Sequence, residues 1–266
     1  MFLSSGAFHL LAVPPAGPAA AELAAVAVDG DRPVLLRLPA IADTADRRAR
    51  RAFLARMRAL DGLRHRAWPA PLAFGFLPHE AGSAAGRPFL IEAAPVTLAA
   101  PCDWPSLARV LFVLLDGLAH GHARGALHGA LDEDALSRDG GPCLCRAAVD
   151  LPAPPIRDDA PTRPILGPTV RAPEQGESDA AAVGPWTDLY ALGALAWQLI
   201  TGAPLFDATT PWAVQRAHRT TAPPALAPRF AVPEGLEPWL LRLLDKRPAE
   251  RWRRAADAVL ALAGLA

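Results

Sequence analysis

The chain contains no asparagine and a single lysine, Lys246, among its 27 basic residues. Chemistry that needs an asparagine ligand, or a lysine ammonium anywhere but position 246, is therefore excluded. Cysteine is scarce as well: Cys102, Cys143 and Cys145 cannot all pair, and a C-x-C without a nearby histidine cluster is a poor zinc pattern. A reduced, intracellular chain is the expectation. No segment approaches the roughly 20 uninterrupted apolar residues of a membrane helix. The opening MFLSSGAFHLLAVPP has no basic start, and prolines stop its short apolar stretch. A cytoplasmic location without membrane insertion is expected. Excess charge of either sign is also missing, with 27 acidic residues against the 27 basic ones. Nothing global favours nucleic acid or an anionic surface as partner, so charge-driven binding has to be local.

What is present is apolar bulk broken by turn formers. With 266 residues, 52% of them hydrophobic, the chain can bury the core of one large domain or of two lobes. Residues 8–40 alternate short apolar runs with turn signals (FHLLAV, PPAGPAAA, ELAAVAV, DGDRP, VLLRLP), and the Asp-Gly between apolar runs predicts a hairpin in a small antiparallel sheet. From Asp43 to Arg64 the spacing becomes helical, with Phe53, Met57, Leu60 and Leu63 on one face and arginines mostly elsewhere. PLAFGFLP and RPFLIEAA read as two further strands. After Pro101, Leu107, Val110, Leu111, Leu114, Leu115 and Leu118 mark a buried helix. A proline-rich stretch from Gly125 to Gly184 follows, and then helices over Thr187–Ile200, Glu237–Leu244 and Arg254–Leu265. The expected class is α+β: a sheet-rich first third with one helix, then a mainly helical remainder.

Four strings in this order carry a resemblance. GLAHGHARGALHGAL is similar to the end of the protein-kinase αE helix and its catalytic loop, with His128 in the place of the histidine. RAPEQ matches the Ala-Pro-Glu element that closes the activation segment. WTDLYALGALAWQLITGAPLF resembles the buried αF helix, with Asp188 as the aspartate that ties to the catalytic-loop backbone, and KRPAERW resembles the late element whose arginine, Arg251, pairs with Glu174. Nearer the start, VLLR resembles the β3 Val-Ala-Ile-Lys, ARRAFLARMRALDGLRH resembles αC, and FLIEAAP the strand entering the hinge. The resemblance implies a bilobal protein-kinase-like fold, with residues 1–94 as the N-lobe and 95–266 as the C-lobe. It also implies structural roles for Glu174, Asp188 and Arg251, the aspartate doubling as a helix-terminal cap.

Kinase catalysis rests on a glycine-rich loop, a lysine paired to an αC glutamate, two metal ligands and an aspartate that orients the attacking hydroxyl. Measured against that pattern, PPAGPAAAE offers one glycine, Gly17, among prolines that remove backbone donors. Arg37 takes the lysine position, and Leu35 replaces the small alanine that lies against adenine. Arg56 takes the αC glutamate position, which sets two like charges where an ion pair is expected. His128-Gly129-Ala130 replaces His-Arg-Asp, so Ala130 stands where the hydroxyl proton is accepted. The metal-binding asparagine is absent; Asp134 substitutes if the loop is one residue shorter, and otherwise the position is Ala135. The Asp-Phe-Gly triplet falls on Ala147-Ala148-Val149, or in a looser alignment on Asp150-Leu151-Pro152.

Taken together these departures imply a pseudokinase, a degenerate relative of bacterial Ser/Thr kinases that works as a scaffold or regulator. No catalytic residue, cofactor or metal is then expected. Gly17, Leu35, Arg37, Glu92 and Ala94 would line a vestigial nucleotide cleft, and Asp134 and Asp150 are the remaining metal candidates. Two alternatives stay open: an atypical Ser/Thr kinase using ATP and magnesium, and a nucleotide sensor that does not hydrolyse its ligand. His120, His122 and His128 precede Cys143 and Cys145 in an order that does not match zinc spacing, and Thr162 and Thr169 lie where active kinases are phosphorylated. A protein partner, of acidic character, is expected at the arginines of αC, Arg47, Arg48 and Arg51 above all.

Overall fold

The computed structural model describes residues 8–10, 21–27, 33–39, 46–77, 85–94, 100–131, 137–138, 141–144, 147, 170–176 and 182–265. The chain divides into two compact units, Met1–Val96 and Thr97–Ala266.

In the first unit five strands form an antiparallel sheet: β1 (Phe8–Leu10), β2 (Ala21–Ala27), β3 (Pro33–Leu38), β4 (Ala73–Phe76) and β5 (Pro88–Ala93), in the order β1-β2-β3-β5-β4. On β3 and β5, Leu35 lies opposite Glu92, Leu36 opposite Ile91 and Arg37 opposite Leu90. Successive side chains alternate between faces. One face therefore carries Leu36 and Ile91, the other Leu35, Arg37, Leu90 and Glu92. Leu36, Ile91 and Leu90 are fully buried, so the centre of the sheet is covered on both sides.

Among the described residues this unit has one helix, α1 (Arg47–Asp61), shorter than the Asp43–Arg64 span its apolar spacing predicts. Asp46 caps it, its carboxylate accepting from the Arg48 and Ala49 backbone N–H groups at 2.7 and 3.2 Å. Phe53, Met57 and Leu60 are its buried residues; Leu63 is buried too, but beyond the helix end. Phe53 meets Phe76 of β4 edge-to-face, with centroids 5.6 Å apart.

The second unit is mainly helical, with α2 (Trp104–His122), α3 (Pro185–Thr201), α4 (Pro211–Thr220), α5 (Leu236–Leu243) and α6 (Ala255–Ala263). A two-stranded ribbon of β6 (Ser137–Arg138) and β7 (Gly141–Pro142) and a 3-10 turn at Pro173–Gly176 lie between α2 and α3. Asp103 and Ser106 form a capping box at the start of α2. α3 is buried nearly all round from Thr187 to Trp197, as a helix without a polar face must be. At Gly193 an added Cβ would lie 2.8 Å from the Leu243 Cβ, so the glycine permits the close approach of α3 and α5.

Helix α4 is not anticipated by the apolar spacing, since only Val214, Gln215 and His218 are buried in it. Its start is nevertheless signalled by Thr210-Pro211: the threonine hydroxyl accepts from the Ala213 N–H at 3.1 Å and proline takes the first helical position. No helix among the described residues is long and apolar enough to cross a membrane.

Candidate functional site

The loop carrying His128, Gly129 and Ala130 follows α2 after a turn at residues 123–125, and its polar atoms turn inward. Asp188, in the first turn of α3, accepts from the His128 N–H at 2.8 Å and the Gly129 N–H at 2.6 Å. His122, at the end of α2, places Nε2 2.8 Å from the same carboxylate. Asp188 does not cap its own helix. Gly184 holds that position, and its N–H donates to the Thr187 hydroxyl at 3.1 Å; the capping role expected of Asp188 is replaced by a tie between two segments 60 residues apart. Burial alone would raise the Asp188 carboxyl, but the hydrogen bond and charge of His122, the nearby His128 and the Gly129 N–H together hold it below the usual carboxylate value.

The rest of the loop is equally engaged. The Gly129 carbonyl accepts from Gln175 Nε2 at 2.9 Å, and the Ala130 N–H donates to His128 Nδ1 at 3.3 Å. Gln175 also accepts from the Ala172 N–H at 3.0 Å, while the Ala172 carbonyl accepts from Gln215 of α4 at 3.1 Å. Gly129 has φ of 73°, a conformation that suits glycine and strains a side chain. Ala130 is buried and brings only a methyl group.

Beside this loop, Glu174 and Arg251 form a buried two-pronged pair, Nη1 to Oε1 at 2.8 Å and Nη2 to Oε2 at 2.9 Å. The Thr187 hydroxyl donates to Glu174 Oε1 at 2.8 Å. Arg251 also donates to the carbonyls of Asp245, Trp186 and Lys246 at 2.7, 3.1 and 3.3 Å. One guanidinium thus fastens the 3-10 turn, α3 and the segment after α5.

In the first unit, Arg37 Nη1 lies 3.1 Å from Glu92 Oε2, and both side chains are largely buried. A carboxylate on the neighbouring strand thus reaches Arg37 diagonally across the sheet face. Leu35, opposite Glu92, is half-buried, as is Arg56 on α1. Ala94 ends β5 by donating its N–H to the Pro33 carbonyl at 3.2 Å.

Arg47, Arg48 and Arg51 are exposed along α1. Arg50, on the same helix, is half-buried. Its guanidinium lies 3.5 Å over the Phe76 ring and donates to the Gly86 carbonyl at 3.1 Å. Gly17, Asp134, Asp150, Ala148, Val149, Cys145, Thr162 and Thr169 lie outside the described residues. Ala147 is described and buried. Among the described residues no group of three or more His, Cys, Asp and Glu side chains could hold a metal ion. The spacing of His122 gave no hint of its bond to Asp188; a histidine in the last turn before the loop was the one available signal.

No protein-family model matches the chain. Over 184 residues, 64% of this chain, it is 32% identical to the serine/threonine-protein kinase Pkn1 of Myxococcus xanthus. Over 94 residues, 34% of the chain, it is 37% identical to the serine/threonine-protein kinase PknF of Mycobacterium tuberculosis. These matches span 26% of Pkn1 and 19% of PknF, so the chain corresponds to about a quarter or less of those relatives. The solved kinase domain of M. tuberculosis PknI superposes with a TM-score of 0.66 over 100% of this chain and 97% of that one, at 18% identity. A second structure of the same domain gives 0.61 at 18% identity, over 97% and 94%. Identity at that level speaks for the fold. With the sequence matches beside it, the chain has the protein-kinase fold and is similar in sequence to bacterial serine/threonine-protein kinases.

Proposed function

We propose that this chain is a catalytically silent protein kinase-like domain, a pseudokinase, that serves as a protein-binding scaffold or regulator. The observation that carries this reading is the loop around Ala130. A methyl group stands where a carboxylate would take the hydroxyl proton, and the neighbouring polar atoms are engaged by Asp188, His128 and Gln175. Two further features support it. Arg37 spends its charge on Glu92. An arginine at position 129, as in His-Arg-Asp, would be strained by about 1–2 kcal/mol at the observed positive φ.

Incubated with ATP, magnesium or manganese and generic protein substrates, the full chain is expected to transfer no phosphate above a control without protein. Transfer that disappears in Asp134→Ala or Asp150→Ala overturns the reading.

The partner-binding surface we infer is the exposed arginine face of α1. Arg47 and Arg48 occupy its first turn, where no acidic residue is present and the helix dipole favours anions. Arg47 and Arg51, four positions apart, add like-charge repulsion. These arginines do not stabilise their own helix, and an acidic partner would relieve both strains while associating in a salt-sensitive way. Reversing Arg47, Arg48 and Arg51 to glutamate is expected to weaken binding of a partner isolated by pull-down by about tenfold or more. The melting temperature should stay level or rise slightly, since glutamate in the first turn suits the dipole. Affinity that survives the triple reversal and ignores salt removes α1 as the contact.

A further inference from the structure

Between α4 and α5, residues 221–228 (TAPPALAP) belong to neither helix nor strand, yet they are pinned at both ends and in the middle. The Thr221 N–H donates to the Ala217 carbonyl at 2.8 Å, and the Leu226 N–H donates to the Glu237 carboxylate at 3.1 Å. Just beyond, Arg229 donates its N–H to the Ile200 carbonyl at 3.0 Å and its Nη2 to the Leu199 carbonyl at 3.1 Å. Pro223, Pro224 and Pro228 each fix φ at about −65°. Each also biases the residue before it, Ala222, Pro223 and Ala227 in turn, towards extended backbone. Exposure then repeats every three residues. Pro223 and Leu226 are half-buried, whereas Ala222, Pro224, Ala225, Ala227 and Pro228 are exposed. Three residues per turn is the period of the left-handed polyproline II helix. One edge of such a helix rests on the second unit, and its other two edges face outward. The prolines have no N–H, and among the described residues no donor reaches the carbonyls of residues 222–228.

We propose that this segment is a docking site for a protein domain of the SH3 type, whose aromatic-lined groove takes proline-rich chains in the polyproline II form. The outward edges offer Pro224-Ala225 to one pocket of such a groove and Ala227-Pro228 to the next, with Leu226 between them turned onto the chain's own body. Each dipeptide brings one proline, so the spacing is Pro-x-x-x-Pro, one residue longer than Pro-x-x-Pro. The carbonyls of residues 222–228 are acceptors for the Tyr hydroxyls and Trp N–H groups of the groove. Because the fold already orders the segment, docking costs less conformational entropy here than it would for a free peptide. Arg229 is exposed beside Pro228, and no acidic residue occurs from Thr221 to Pro233, so a groove with an acidic rim complements the site. The site lies in the second unit, not in the unit of α1, and is independent of whether the chain transfers phosphate.

The test titrates the full chain by calorimetry with a panel of purified SH3 domains that have acidic groove rims, and with WW domains in parallel. Binding by SH3 domains is expected, weakened about tenfold or more by Pro224→Ala/Pro228→Ala. Ala225→Glu/Ala227→Glu should weaken it at least as much while keeping every proline, which separates blocked docking from a loosened segment. Both variants should melt close to the parent. A synthetic peptide of residues 221–230 should compete, but more weakly than the full chain, since it has to be ordered on binding. A panel in which no SH3 domain binds, or in which the glutamate variant binds as tightly as the parent, overturns the proposal. Binding by WW domains alone also overturns it and assigns the segment to another partner.

Discussion

Arg251→Ala is expected to lower the unfolding free energy of the Thr97–Ala266 unit by about 3–5 kcal/mol. The change strips Glu174 of both charge-assisted hydrogen bonds from its partner and leaves it the bond from the Thr187 hydroxyl. It also orphans the carbonyls of Asp245, Trp186 and Lys246. An uncompensated carboxylate in a buried setting is the costly element, more than the lost attraction itself. A fall in melting temperature of roughly 10 °C is therefore anticipated. The double variant Glu174→Leu/Arg251→Met should recover a large part of the loss, because an apolar pair of similar volume removes the buried charge altogether. Losses that simply add in the double variant would mean that the two residues are not coupled.

Asp188→Ala should be nearly as damaging, with a loss of about 3 kcal/mol or more. Three donors converge on its carboxylate, from the His128 and Gly129 backbones and the His122 ring, and each buried donor left without a partner costs roughly 1–3 kcal/mol. Faster hydrogen exchange at the amides of His128 and Gly129 would locate the damage in the loop; unchanged exchange there would show that the tie is not what orders it. The effect has a definite pH dependence. Because the folded state holds Asp188 below the ordinary carboxylate value, its contribution is complete above the unfolded value of about 4 and is lost as pH falls through the folded one. The stability gap between parent and variant should stay level from neutral pH to about 5 and shrink below about 4.

The sequence by itself determined the order of most elements and the resemblance to protein kinases. Apolar spacing located α1, α2 and α3 to within a few residues, because a 3.6-residue period and a buried face are written directly in residue type. Strings such as Arg-Ala-Pro-Glu-Gln and Lys-Arg-Pro-Ala-Glu-Arg-Trp named the two ends of the Glu174–Arg251 pair, and the alanine at position 130, where the resemblance puts an aspartate, could be read without coordinates.

What only the tertiary structure decided is which group meets which. Arg37 finds Glu92 across 55 positions through strand register, and no local pattern encodes register between strands that are distant in sequence. His122 reaches Asp188, and Gln175 reaches the Gly129 carbonyl, because helix ends and a 3-10 turn converge on one loop. The arginines of α1 look alike in sequence, yet packing turns Arg50 onto Phe76 and leaves Arg47, Arg48 and Arg51 exposed. The lone lysine is visible at a glance, but its lowered basicity comes from burial and from the charge of Arg251, brought beside it by the fold. Periodicity and composition are properties of neighbours along the chain, whereas charge partners, desolvation and backbone strain belong to neighbours in space, and folding alone chooses those.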